Sequence, residues 1–555
     1  MKKAVCLTLA LAMLFSLAAC GGGGTPTQAP SVNVPTADIP TNTNPLPSGA
    51  ITSKAPTTPV GDGPQYGGIV RIIDTGANGG TAEPFGFPWT PIMVKNYCVP
   101  WAETLVLHTQ TGEYEPHLAT DWNIDMDAHT ITFKLREDVF FTDGSPLNAE
   151  AVAWNVNRWP EDGRGNEEIV EKAWAEDEFT VVIPFLNWQN VLFETFASHS
   201  YAIASMQNFL DNGADYAMKN PVGTGPFVLS DWTPGSHVKF VRNEDYWMEG
   251  KPYLDGIEYY EISDIMTQNA TMVSDGDDAM DMYQCGNAEQ AYTIMSNTQN
   301  FDSSYMRGGG TMTLCPSSDN PDSPLGNVKV RQAIAYAIDR DAIVEAKGFG
   351  ILKPAYQLTS RGFAGNLPDD HPNLIKYDVE LAKQLLTEAG YPDGFNTTIY
   401  AAISFQDFAV IIQAQLAEIG IHCELEFPEP GRITDLYTNG WEGLMALNFG
   451  QVMNTGISYY IWYHPDQDTY VSAMRPPEYE EMYYEARRSF AVDNELFGRL
   501  GNLVLEYMVF IPLYHSYSVY FVRNGLMDHG YHKYSAFTIW KPWDAYWEAG
   551  SPKLG

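Results

Sequence analysis

An α/β fold is predicted by three features of the chain. Residues Thr130-Ile131-Thr132-Phe133-Lys134-Leu135-Arg136 alternate apolar and polar, the pattern of a half-buried strand. Val330, Ala333, Ile334, Ala337 and Ile338 recur at helical spacing and mark one apolar stripe. A helix ending near Ile419 passes through Gly420 into a branched strand over 421–427, the helix, glycine, strand rhythm of α/β layers.

The elements follow in order. The branched run 69–73 suits a buried strand. Asp143-Gly144-Ser145-Pro146 is turn chemistry, after which Asn148 caps a helix through Arg158. A strand over 227–230 follows the glycine-rich loop 222–227. That loop lacks the lysine and glycine spacing of a nucleotide cradle, so it is read as structural rather than anion-binding. Asp378 caps a helix whose buried face is Leu381, Ala382, Leu385, Leu386 and Ala389. Gly390 ends it and Pro392-Asp393-Gly394 turns the chain. No internal repeat is detectable.

Charge narrows the class. The 555 residues carry 69 acidic against 32 basic side chains, a net charge of −37. Nucleic acid would be repelled, and adsorption to anionic lipid is disfavoured. The 45% of hydrophobic residues is ordinary for a globular protein, so a collagen-like or wholly disordered chain is excluded. Length allows about three or four folding units.

The N-terminus reads as an export signal. Lys2 and Lys3 precede a short apolar stretch, 4–15, in a signal spanning 1–19. Leu17-Ala18-Ala19-Cys20 resembles the bacterial lipobox, which makes Cys20 the expected site of lipid attachment. Two acyl chains there give stable anchoring where one holds only marginally. Residues 20–65 are rich in Gly, Pro and Thr and cannot bury enough surface to offset the entropy of ordering. They are expected to be a disordered tether, with a reach of about 35–40 Å.

The cysteines left after processing, Cys98, Cys285, Cys315 and Cys423, are scattered, form no C-x-x-C pair and read as buried thiols. His529 and His532 flank a glycine with no acidic or cysteine neighbour, so they read as a solvated loop rather than a metal site. No G-x-S-x-G, H-E-x-x-H or S-x-x-K pattern marks a hydrolase.

Several blocks carry a resemblance. Thr142-Asp143-Gly144-Ser145-Pro146-Leu147-Asn148-Ala149-Glu150-Ala151-Val152 resembles a signature of the family 5 extracellular solute-binding proteins, with Ala151 where that family often has Asp. Pro221-Val222-Gly223-Thr224-Gly225-Pro226-Phe227, Arg242-Asn243-Glu244-Asp245-Tyr246-Trp247 and Lys251-Pro252-Tyr253-Leu254-Asp255 are similar to its most distinctive region. Lys329-Val330-Arg331-Gln332-Ala333-Ile334-Ala335-Tyr336-Ala337-Ile338-Asp339-Arg340, residues 377–395 and 413–421, and Ile511-Pro512-Leu513 complete an ordered set.

The resemblance implies a type II, periplasmic-binding-protein-like α/β fold, with mixed sheets and a cleft between two lobes. Lobe one is expected at 66–310 and again at 518–555, and lobe two at 311–517. Crossovers are then expected near Gly308-Gly309-Gly310 and His515-Ser516-Tyr517. The glycines tolerate a large backbone swing, although a plain surface loop is the alternative reading.

The implied function is capture of a peptide-like solute by a lipid-anchored monomer. It would stand on the outer face of a bacterial cell membrane and serve the permease and ATP-binding subunits of an ABC importer. No catalysis, cofactor, metal or nucleic acid is implied. Candidates against the solute are Gly310 and Thr311 at the crossover and Phe449 at the end of the strand 443–449. Tyr459, Tyr460 and Trp462, with the adjacent Tyr463, are aromatic candidates whose alternative is lobe-two core. Trp101 is a similar candidate.

Peptide-binding relatives carry an aspartate after the strand matching 443–449, where this chain has Gly450-Gln451-Val452-Met453-Asn454. A buried ammonium without a counter-charge is costly, so a clamp on a free amino terminus is not expected there. Gln451 and Asn454 suit hydrogen bonds to a neutral ligand instead. An oligosaccharide is the alternative cargo; a secreted hydrolase, a sensor and an adhesin are the alternative classes.

Overall fold

The computed structural model describes residues 63–75, 95–109, 113–160, 172–190, 192–276, 279–450, 463, 465, 469–530 and 540–554, with only the backbone of residues 305–309. Strand β1 (Ile69–Asp74) forms over the branched run. A four-stranded antiparallel sheet follows, in the order β2 (Ala119–Asp125), β3 (Thr130–Leu135), β5 (Thr180–Pro184) and β4 (Trp174–Asp177). The alternation in β3 sends Ile131, Phe133 and Leu135 into the core beneath that sheet. Helix α1 (Ala149–Arg158) starts where expected, Asn148 Oδ1 accepting from Ala151 N at 2.9 Å.

The chain then adds β6 (Phe227–Thr233), β7 (His237–Arg242), β8 (Gly256–Glu261), β9 (Met282–Cys285) and the 16-residue β10 (Phe301–Pro316). Glycine at 223 and 225 is required by close approach: a Cβ there would meet Trp101 O at 2.1 Å and Trp101 C at 2.6 Å. The loop 222–227 is therefore structural, bonded through Gly225 N to Trp101 O and Phe227 N to Pro100 O.

Beyond β10 come α2 (Val328–Ala337), α3 (Arg340–Lys347), α4 (Val379–Glu388), β11 (Phe395–Tyr400), α5 (Gln406–Ala417), β12 (Ile421–Glu426) and β13 (Leu444–Phe449). Helices α6 (Tyr479–Arg488) and α7 (Asn494–Glu506) lead into β14 (Ile511–Arg523). Val330, Ala333, Ile334, Ala337 and Ile338 are all buried, as their spacing predicts. On α4, capped by Asp378, only Ala382 and Leu386 are fully buried. Leu381, Leu385 and Ala389 are half-buried, with Leu385 and Ala389 packed at the margin of the core that holds α2.

One mixed sheet runs through the chain in the order β12-β11-β13-β10-β14-β9-β1-β8-β7-β6, with the short strand Lys353–Pro354 also on β14. Its two long strands join two halves. Residues 301–306 of β10 pair with 518–523 of β14, and residues 310–314 pair with 511–516. The register slips between Met306 and Gly310, where β10 spends four residues against two on β14, a bulge that bends and twists the ladder. The C-terminal stretch returns to the N-terminal half, where Trp540 and Trp547 pack with Val70, Phe227 and Leu254. Lys553 Nζ lies 2.8 Å from the fully buried Asp281, which also meets Arg523 Nε at 3.1 Å. Cys98, Cys285, Cys315 and Cys423 are buried thiols outside any disulfide.

Candidate functional site at the waist between two sheets

Strand direction locates the site. In the N-terminal half β1 runs parallel to β8 and β9, and Cys285 at the end of β9 pairs with Val519, just short of the bulge. In the C-terminal half β11 runs parallel to β12 and β13, and Phe449 at the end of β13 pairs with Thr311, just past it. Both parallel sets therefore aim their carboxyl ends at the waist, from opposite sides. In open α/β sheets ligands bind outside the carboxyl ends of the strands. Two such edges lie on either side of the two connecting strands, β10 and β14.

Three of the expected residues come together at this waist. Gly310 has φ +128°, and a Cβ there would lie 2.3 Å from Asn448 Oδ1 and 3.1 Å from Phe449 O. Only glycine lets β10 pass so close to the end of β13. Ser516 Oγ donates to Gly310 O at 3.2 Å. Thr311 is wholly buried; its hydroxyl donates to Leu358 O at 2.7 Å and lies 2.8 Å from His515 Nδ1. Phe449 is buried too, edge-on to Phe510 at 4.8 Å and to Tyr470 at 5.9 Å. Trp101 stands apart from these three, 2% exposed in the core of the N-terminal half. Cys20, Gln451, Asn454, Tyr459, Tyr460, Trp462 and His532 lie outside the described residues. Tyr463 is described: it packs in the C-terminal core 4.5 Å from Tyr479 and 5.0 Å from Phe510, the alternative foreseen for the aromatic cluster.

Two side chains here escaped the sequence reading. Asn448 shares the strand with Phe449 but points to its other face, and its Oδ1 is buried without a hydrogen-bond partner. His515, marked in the sequence only as a crossover boundary, sits between Thr311 and Ser360, whose Oγ lies 3.1 Å from Nδ1. Burial pushes its pKa down to about 4. The imidazole is thus neutral in the fold, whereas the unfolded chain takes up a proton near pH 6.5. Its contribution to stability is full above pH 6.5 and declines as pH falls toward 4. We expect wild type to lose about 2 kcal/mol more than His515→Gln between pH 7.5 and pH 5, read from urea midpoints. Equal losses in the two proteins would refute a buried neutral imidazole. Among the described residues no group of His, Cys, Asp and Glu is arranged to hold a metal, and no described helix is long and apolar enough to cross a membrane.

Two halves joined through the two long strands of one sheet make the fold that of the type II periplasmic binding proteins. Solved relatives share it. The ABC transporter-associated periplasmic binding protein DppA from Helicobacter pylori, in complex with peptide STSA, aligns over 87% of this chain and 99% of its own, at 22% identity and TM-score 0.68. NikA from Brucella suis, in complex with Fe(III)-EDTA, aligns over 85% and 98%, at 20% identity and TM-score 0.72. The description "Bacterial extracellular solute-binding proteins, family 5 Middle" matches residues 113–470, and the chain belongs to that family. The glutathione-binding protein GsiB of Shigella flexneri is 30% identical over 337 residues, 57% of this chain and 61% of that protein. The chain thus spans about 61% of the length of the curated relatives it matches.

Proposed function

We propose that the chain is the extracytoplasmic substrate-binding subunit of an ABC importer, tethered through Cys20 and taking up a peptide-like solute. Lobe one comprises 66–310 and 518–555, and lobe two 311–517. Residues 1–19 are removed on export, and 20–65 link the lobes to the membrane. The observation that carries the reading is the pair of strand edges aimed at each other across Gly310 and Ser516. The solute enters between these edges, and the bulged ladder at 306–310 bends to close them. Ligand favours the closed form by its greater affinity for that form, and the permease accepts the closed complex.

Peptide-like cargo is favoured by the glutathione-binding relative and by the peptide-bound neighbour of the same fold. A neutral clamp rather than an acid at 450–454 suits a solute held along its amide backbone, and glutathione and short peptides are the first ligands to try. Thermal melting of the tethered-length protein against glutathione, tri- and tetrapeptides, oligosaccharides and metal chelates tests the assignment. A true ligand at about 100 times its Kd adds about 2.7 kcal/mol and raises Tm by a few degrees. A shift with oligosaccharide alone would reassign the cargo, and flat curves with every class would refute the receptor role.

A further inference from the structure

Away from the waist, a second set of contacts joins the two halves. The segment 185–190, which leaves β5 in the N-terminal half, meets the C-terminal end of α6. Asn190 N donates to Arg487 O at 2.9 Å, and Asn190 Nδ2 donates to Ala486 O at 2.8 Å and to Ser489 Oγ at 3.0 Å. Trp188 Nε1 donates to Phe490 O at 3.0 Å and Ser489 O at 3.2 Å, and its ring stacks on Phe490 with centroids 5.4 Å apart. Arg487 Nε in turn donates to Gln189 Oε1.

The chemistry of this contact is specific. The last carbonyls of a helix have no partner inside it. Here Ala486 O, Arg487 O and the carbonyls just beyond are satisfied by donors about 300 residues earlier in the chain. Trp188 belongs to the core of the small sheet, and Tyr479, Tyr483 and Ala486 of α6 belong to the core of the C-terminal half, so each side is rigidly backed. Between them hydrogen-bonded polar groups and a ring stack meet, and Phe490 is still 42% exposed. Water can replace each of these hydrogen bonds when the halves part, and the main apolar loss is the Trp188 face that stacks on Phe490. None of the groups lies on β10 or β14.

We propose that Trp188, Gln189 and Asn190 form a latch that grips the end of α6 and holds the halves closed without ligand. The inference rests on the two-lobed reading above. A latch of this kind multiplies affinity without touching the solute, since apparent Kd equals the intrinsic value divided by the fraction closed. It also slows release, because dissociation must first break it.

The test uses the ligand-stripped, otherwise unaltered chain, so it reads out even if no peptide binds. Hydrogen exchange at the Asn190 amide is expected to be slowed at least about tenfold relative to a solvent-exposed amide. Small-angle scattering should show the Trp188→Ala/Asn190→Ala protein larger than wild type, with its open-to-closed ratio raised at least about tenfold, equivalent to about 1.4 kcal/mol. Should the double variant fail to fold, Trp188→Phe keeps the stack, drops the indole donor and should give a smaller expansion in the same direction. Free exchange at Asn190 in wild type, or a wild-type radius of gyration in the variants, would overturn the latch. A flat ligand screen alongside a positive latch result would count against the receptor role alone.

Discussion

Glu103→Ala is expected to destabilise the chain by about 3–5 kcal/mol, among the largest single effects available in the N-terminal half. The carboxylate is 1% exposed. It accepts from Tyr246 OH at 2.6 Å, Thr224 Oγ1 at 2.7 Å and Trp247 Nε1 at 2.8 Å, and His117 Nε2 lies 3.1 Å away. Burial alone would raise its pKa. The charge and hydrogen bond of His117, with the bonds from Tyr246 and Trp247, outweigh that and hold it below the ordinary carboxylate value. Alanine would strand the Thr224, Tyr246 and Trp247 donors, for which no other partner is found among the described residues, and each buried orphan costs about 1–3 kcal/mol. Glu103→Gln should retain part of the loss, because one of its two terminal atoms faces donors with a donor. The cluster also ties in the C-terminal return, since the His117 ring lies 5.3 Å from that of Trp543. Chemical denaturation followed by tryptophan fluorescence measures both variants, and an alanine variant within about 1 kcal/mol of wild type would show the network to be dispensable.

What was legible in the sequence was what is decided locally. Asn148 and Asp378 cap their helices because a cap needs only the three residues after it. The stripe on α2 and the alternation on β3 were readable for the same reason. Glu103 was not: its partners come from residues 117, 224, 246 and 247, and nothing in a Trp-Ala-Glu-Thr stretch announces a buried acid. The overfull face assigned to α4 has a related cause, since periodicity says which residues share a face and not how much of it a neighbour covers. At the site, Gly310, Thr311 and Phe449 were candidates placed by the crossover that the resemblance implies, and the structure adds their pairing. His515 and Asn448 were missed because their meaning lies in cross-strand neighbours about 140 to 200 positions away. A signal for His515 did exist: a lone histidine inside the apolar run 511–523 must be either neutral or paired. The latch left no trace, since Trp-Gln-Asn after a strand reads as any loop.

Arg331 is the counterpart of Glu103 in the C-terminal half, and Arg331→Ala is expected to cost about 3–5 kcal/mol. Its guanidinium is buried with no carboxylate partner among the described residues and works mainly on backbone carbonyls, with one further contact to the Met474 sulfur at 3.1 Å. Nη1 donates to Leu325 O at 2.8 Å and Gly326 O at 2.9 Å, Nη2 to Tyr507 O at 2.6 Å, and Nε to Tyr507 O at 3.1 Å and Met508 O at 3.2 Å. Burial lowers its pKa to about 10, so it stays charged at neutral pH and its charge is spread over carbonyls with no helix or strand partner. The fork stitches the turn before α2 to the turn after α7, directly ahead of β14. Arg340 does the same nearby, donating to Pro512 O at 2.7 Å and to Ala335 O at 3.0 Å. Two buried arginines thus brace the root of one waist strand, which explains their place in the block 329–340. Lysine carries the charge but not the planar fork, so Arg331→Lys should recover less than half of the loss. The functional consequence is the sharper test. A looser root at β14 lets the C-terminal half move without turning the hinge, so ligand affinity in Arg331→Lys should fall even at temperatures where the protein remains folded. Calorimetric titration well below Tm, with wild-type affinity in Arg331→Lys despite a lowered melting point, would show that the brace serves stability alone.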